Sequence, residues 1–341
     1  MLTRFLAWLT LGRNAVRHTL VLGLLIGGVQ SALLLVASTL DGTLRPPGPE
    51  LGLLEHPGVV AIVLADGVLL ALLGYAARRF LRSSIRMPVV DSPRNRRYLR
   101  QAVSRGRAVL LLRGRARSLF LVCAGLGVLF WLLNAVQTRD PVTFYGRDVF
   151  DSSLHPYSYV VMRIVLGLSW VVLYPYAAVG FLGISGNLYR VTLGLAKRGQ
   201  LRYKLFHPDS CGGFSIIGEI SFAAIMAVLA LYTSLTTVIV THQKLSVLQI
   251  SGFVCLSTMF VVLTFLISWP TTRFLMERRR QDRQGSYRRL SSQRDTFAAV
   301  KLVWIATSAS YSPYAAYQRG LINAARALPV ILGGIRIYDM I

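Results

Sequence analysis

The sequence predicts an all-α fold: a polytopic helical membrane protein with about six transmembrane helices, both termini cytoplasmic, and a basic cytoplasmic layer. Three observations carry this. Of the 341 residues, 54% are hydrophobic and only 15% charged, too apolar for an ordinary soluble domain and too long for a single span. Six apolar runs, at 19–40, 57–77, 118–137, 158–183, 215–240 and 248–270, reach the roughly twenty residues that cross a bilayer as a helix. Of the 38 lysines and arginines, 33 lie before the first run or after the second, fourth and sixth, the segments that the positive-inside rule makes cytoplasmic.

In chain order, the segment 1–18 sets Phe5, Trp8 and Leu9 against Arg4 and Arg13, an amphipathic pattern suited to the inner interface. The first run is longer than the apolar part of a signal peptide and no A-x-A site follows, so it is expected to stay as a span. Gly23, Gly27 and Ser31 recur at every fourth position in it, a small-residue face that lets another helix approach, within the chain or between subunits. The first two runs form a unit at 19–77, joined through Arg-Pro-Pro-Gly-Pro at 45–49, which excludes a helix there.

The segment 78–117 follows, with thirteen arginines and one acid, Asp91. Runs three and four fill 118–183. A loop at 184–214 ends in His-Pro-Asp-Ser-Cys-Gly-Gly-Phe, and runs five and six fill 215–270. The basic region 271–341 contains an apolar stretch at 320–337 interrupted by Arg326, Pro329 and Gly333-Gly334. That pattern predicts a helix packed on the bundle or lying in the interface, ahead of a seventh span. The opposite side carries Asp41, Glu50, Glu55, Asp140, Asp148 and Asp151 and is close to neutral.

The arginines exceed what orientation requires. Arg94, Arg96, Arg97, Arg100, Arg105 and Arg107 lie farthest from both flanking runs, yet they are as dense as the flanks, and Arg278, Arg279 and Arg280 repeat the pattern after the sixth run. The guanidinium fork binds phosphate bidentately and stacks on bases, and Tyr98 adds an aromatic face beside the charge. A net charge of +24 points to an anionic partner: the phospholipid surface, a nucleotide or an oligonucleotide. Composition leaves these open.

Within the spans, Asp66 lies near the middle of run two and Glu219 a turn inside run five. A carboxylate in hydrocarbon costs several kcal/mol unless paired, protonated or wetted. Each is either a pore or gate residue or a structural group, Glu219 pairing with an interfacial arginine and Asp66 bonding a neighbouring helix. Arg163 sits near enough to the end of its run to snorkel outward. Thr233, Thr237 and Thr241 follow helical spacing, and Ser257, Thr264 and Ser268 share one face within about 40°. Such hydroxyl stripes line a wet pathway or bind helices together.

His207, Asp209 and Cys211 lack the fourth ligand and the spacing of a zinc site, and no metal or cofactor is expected. Pro-Asp starts a turn and Gly212-Gly213 bend the chain sharply into run five, which makes His207, Asp209, Gly212 and Gly213 a coupling loop. No Walker loop, dinucleotide fingerprint, zincin, hydrolase or kinase motif occurs, so enzymatic activity is not expected. The three cysteines form no disulfide framework.

In overall design, multi-span, arginine-rich inside and without a catalytic set, the chain resembles channel-type membrane effectors of bacterial antiviral defence, some of which answer nucleotide or oligonucleotide signals. The resemblance implies a homo-oligomeric channel in the bacterial inner membrane, gated by an anionic cytoplasmic ligand, with a signal-producing partner protein. Two further readings stay open: a secondary transporter or lipid-handling enzyme using Asp66, Glu219 and His207/Asp209, and a scaffold that recruits an acidic partner.

Overall fold

The computed structural model describes residues 15–44, 57–86, 90–137, 155–201, 211, 213–240, 269, 271–278, 280–281, 314, 318–324 and 327. Helices α1 (Ala15–Leu40), α2 (Pro57–Arg86), α3 (Pro93–Leu110) and α4 (Arg115–Gln137) come first. They are followed by α5 (Pro156–Gly167), a π-helical stretch (Leu168–Leu173), α6 (Tyr174–Lys197) and α7 (Ser215–Val240). No β-strand occurs among the described residues.

Four units are long and apolar enough to cross a membrane: α1, α2, the continuous helix from α5 through α6, and α7. The fold class is therefore the expected helical one, with four candidate spans among the described residues where six were expected. The third run does form a helix, α4, although it is not one of the four, and the sixth run lies outside the described residues.

Two helices outrun their apolar stretches. α2 continues into the arginine segment as far as Arg86. The Pro156–Lys197 helix has 42 residues, about 63 Å at 1.5 Å per residue, roughly twice the hydrocarbon thickness. Pro175 does not break it. A proline lacks the N–H that would bond four residues back and its ring meets that carbonyl. Here the turn before it widens, and the Tyr174 N–H reaches back to the Ser169 carbonyl.

Contacts between non-adjacent segments define the two ends of the bundle. At one end Asp41, just past α1, accepts the Ser158 N–H at 2.6 Å and so caps α5, whose own cap residue His155 makes no side-chain capping bond. The buried hydroxyls of Ser38 and Thr43 approach that of Ser158 at 3.5 and 3.3 Å. Toward the other end α3 lies along α6, its start tied to the loop after α6 and its last residue beside Tyr176, and both pack with the second half of α2 and the start of α7 around Leu73, Phe80, Leu99, Leu195, Phe214 and Ile217. The described parts of 78–117, 184–214 and 271–281 thus pack into one core.

The exterior is apolar along α1, α2 and α4, with Leu24 76%, Leu64 62% and Val122 62% exposed. Such a belt suits lipid tails and would be an association hazard in water. The 318–324 stretch is helical, and its Ile322 is buried with Ile225 of α7 and Tyr314, so this part of the C-terminal region packs on the bundle.

The small-residue face of α1 is used inside the chain. A Cβ added at Gly23 would lie 2.5 Å from the Gly67 carbonyl oxygen of α2, and one added at Gly67 would lie 2.8 Å from that of Gly23. Backbone therefore meets backbone, and neither partner can retreat as a side chain would. Gly23→Ala is expected to push α1 off α2 at a cost of about 1–3 kcal/mol, read as a lowered melting temperature in detergent. An unchanged melting temperature would show that this approach is loose.

Candidate functional site

The arginine segment is an ordered helix seated in the core. Ser92 caps α3, its hydroxyl accepting the Asn95 N–H at 3.2 Å, and Pro93 occupies the first helical position, where its missing N–H costs nothing. Asn95, Leu99, Ala102, Gly106 and Leu110 recur at three- and four-residue spacing and are all buried. Leu99, Ala102 and Leu110 join the core that includes Phe80 of α2 and Leu195 of α6. The buried Tyr176 hydroxyl of α6 donates to the Leu110 carbonyl at 3.2 Å.

A polar clip fixes the start of α3. Asn95 Nδ2 donates to the Val90 carbonyl at 3.0 Å and to Gln200 Oε1 at 2.9 Å, while the Val90 N–H donates to the Gln200 carbonyl at 2.8 Å. The loop before α3 is thereby tied to the loop after α6. Sequence reasoning passed over Asn95 and Gln200. The available signal was a polar residue at the apolar register of a helix, four positions before Leu99.

With that face buried, the arginines divide into two flanks. Arg96, Arg100 and Arg107 fall within about 40° of one another, and Arg94 and Arg105 within about 20° on the other side. These five and Arg97 are all exposed. Arg96 is held by Asp91 through two bonds of 2.7 Å, and the neighbouring carboxylate pushes this guanidinium further above its ordinary value. Asp91, Pro93, Arg96, Arg97 and Arg100 line an open hollow of about 510 Å³. Arg97 and Arg100 thus bring two exposed guanidinium groups beside one already paired.

Tyr98 faces elsewhere. It is half-buried and packs on the core, the Arg198 guanidinium lies 5.4 Å from its ring centroid, and its hydroxyl abuts Gly194 of α6. The structure therefore does not bring it onto the hollow. Arg278 and Arg280 are exposed at the same end, where Leu275 is buried in the core and the Phe274 ring lies 5.4 Å from that of Phe214. Arg279 lies outside the described residues.

The interior acids have separate surroundings. Glu219 pairs with Arg79 of α2 at 2.5 Å, and the same guanidinium lies 5.3 Å from the Tyr75 ring. This is the arginine-paired arrangement that the sequence left open. Asp66 is fully buried and accepts from Gln30 Nε2 of α1 at 2.8 Å and from the Ser169 hydroxyl of the π-helical stretch at 2.5 Å. Gln30 and Ser169 drew no attention in the sequence, because nothing local marks which helix faces meet.

Arg163 reaches inward as well as outward: it donates to the Trp131 carbonyl at 3.4 Å, lies 5.3 Å from the Tyr159 ring, and its own carbonyl accepts from the Trp131 indole at 3.0 Å. The Thr233 hydroxyl bonds its own helix, to the carbonyls of Leu229 and Ala230, both at 3.0 Å. Thr237 lies on α7, but its side chain, like Thr241, Ser257, Thr264 and Ser268, falls outside the described residues. So do His207, Asp209 and Gly212. At the end of that loop Gly213 adopts φ +92° and the Phe214 N–H bonds the Cys211 carbonyl at 3.2 Å, the sharp entry into α7 that glycine permits.

Comparison with known proteins finds no matching family model, no matching curated protein and no matching solved structure.

Proposed function

We propose that this chain is a homo-oligomeric channel of the bacterial inner membrane, both termini and the arginine-rich end inside, gated by a phosphate-bearing cytoplasmic ligand such as a nucleotide or oligonucleotide. One observation carries the reading: the exposed arginines of α3 sit on a helix whose other face is part of the core shared by α2, α6 and α7. A ligand gripped by Arg97 and Arg100 pulls on an element locked to the membrane helices. It biases a gate only by binding two states unequally, and the Asn95–Gln200 clip is the joint through which a shift of α3 reaches α6.

The resemblance to antiviral effectors gives this channel a role, in which a partner protein makes the signal and opening collapses the membrane gradient. In planar bilayers the purified protein is expected to conduct and to change its conductance when a nucleotide or short oligonucleotide is added to one face. Silence under every such ligand, with ligand binding intact, would remove the channel and leave an anion-binding membrane protein.

A second reading, a coupled transporter, is favoured by the buried Asp66 carboxylate. It requires solute uptake that Asp66→Asn abolishes.

A further inference from the structure

We propose that Asp66 and Gln30 together form a proton-binding site inside the membrane-spanning bundle, independent of the arginine reading. Both residues are nearly or fully withdrawn from solvent, Gln30 at 3% and Asp66 at 0% exposure. They share one hydrogen bond, from Gln30 Nε2 to Asp66 Oδ2 at 2.8 Å. The two remaining oxygens of the pair, Gln30 Oε1 and Asp66 Oδ1, are buried and have no hydrogen-bond partner among the described residues.

The hydrogen inventory explains the pair. A carboxylate and an amide carbonyl only accept, so neither oxygen can satisfy the other. A carboxylic acid, however, meets a primary amide through two parallel bonds, amide N–H to carboxyl oxygen and carboxyl O–H to amide oxygen. The first of these is present. One proton, transferred to Asp66 Oδ1 from a hydronium ion that leaves as water, supplies the second: one O–H bond forms on the carboxyl as one on hydronium breaks.

What favours the neutral pair is burial without a counter-charge, and it works against the hydrogen-bond donors that face Asp66. From α1 the facing group is Gln30, and from the π-helical stretch and the start of α6 they are Ser169 and Tyr174, whose hydroxyls face the carboxylate. Three charged groups of the packed helices have other partners. Glu219 and Arg79 pair with each other, Arg79 lying thirteen residues or about 20 Å along α2, and Arg163 is bonded to Trp131. No cation faces Asp66 among the described residues, so a bare carboxylate there would be costly. Proton occupancy is thereby linked to the packing of α1 and the π-helical stretch on α2: release requires that one of them move and admit water.

Infrared spectroscopy of the full chain in liposomes at neutral pH tests this, since solvent-exposed carboxyls are ionised there. Wild type is expected to show a protonated-carboxyl C=O band that moves on labelling with isotopic aspartate. The band should be missing in Asp66→Asn and should shift to higher frequency in Gln30→Met, which removes the acceptor. The labelling and Gln30→Met carry the test even if Asp66→Asn does not fold. No aspartate-derived band in wild type, or a band unmoved by Gln30→Met, overturns the proposal.

Discussion

Replacing Arg97 and Arg100 with glutamine is expected to weaken capture of a phosphate-bearing ligand by about a hundredfold or more, because each loses a charge-assisted bond of roughly 1.5–3 kcal/mol. These two are the exposed guanidinium groups lining the hollow beside the Asp91–Arg96 pair. Glutamine keeps a donor and a flexible stem while removing the charge, and neither residue is buried in the core, so folding should survive. With an oligonucleotide ligand, the slope of log affinity against log salt should also fall by about 0.7–0.9 for each phosphate no longer neutralised. Titration by fluorescence anisotropy at several salt concentrations checks both numbers. Affinity within twofold of wild type would move the ligand off α3.

The second large effect concerns the Arg79–Glu219 pair. Arg79→Met leaves the Glu219 carboxylate, only 22% exposed, without its counter-charge next to the core. Breaking a fully buried pair costs about 3–5 kcal/mol; partial wetting here lowers the expected loss to about 2–3 kcal/mol. Adding Glu219→Gln should recover most of it, since the stranded charge is then gone. Thermal unfolding of the two single variants and the double variant in detergent completes the cycle. Single variants indistinguishable from wild type would make this a pair held in solvent, and α2–α7 packing would have to rest on apolar contacts alone.

Among the described residues the helices were legible where apolar runs of spanning length mark them, and the arginine-rich segment stood out by its charge alone. The seating of α3 was less so. Its charge dominates any composition-based reading, and the apolar stripe of Leu99, Ala102 and Leu110 is visible only once the arginines are ignored. Glu219 was readable as half of an ion pair because arginines crowd the neighbouring helix end. The partners of Asp66 were not, since they depend on how α1 and the widened turn are rotated against α2. Tyr98 illustrates the converse: its position among arginines suggested a base-stacking platform, while helical geometry turns it toward α6 and Arg198.

The cap that Asp41 lends to α5 also has a consequence for biogenesis. Its partner Ser158 lies 117 residues downstream, and Asp66 waits 103 residues for Ser169, whereas Gln30 and Asp66 are only 36 apart. As the ribosome delivers the chain, the α1–α2 hairpin can join Gln30 to Asp66 at once, but its far end has no helix start to hold until α5 is made. The contacts that close the first hairpin are thus split between one that its own two helices supply and two that the middle of the chain must bring.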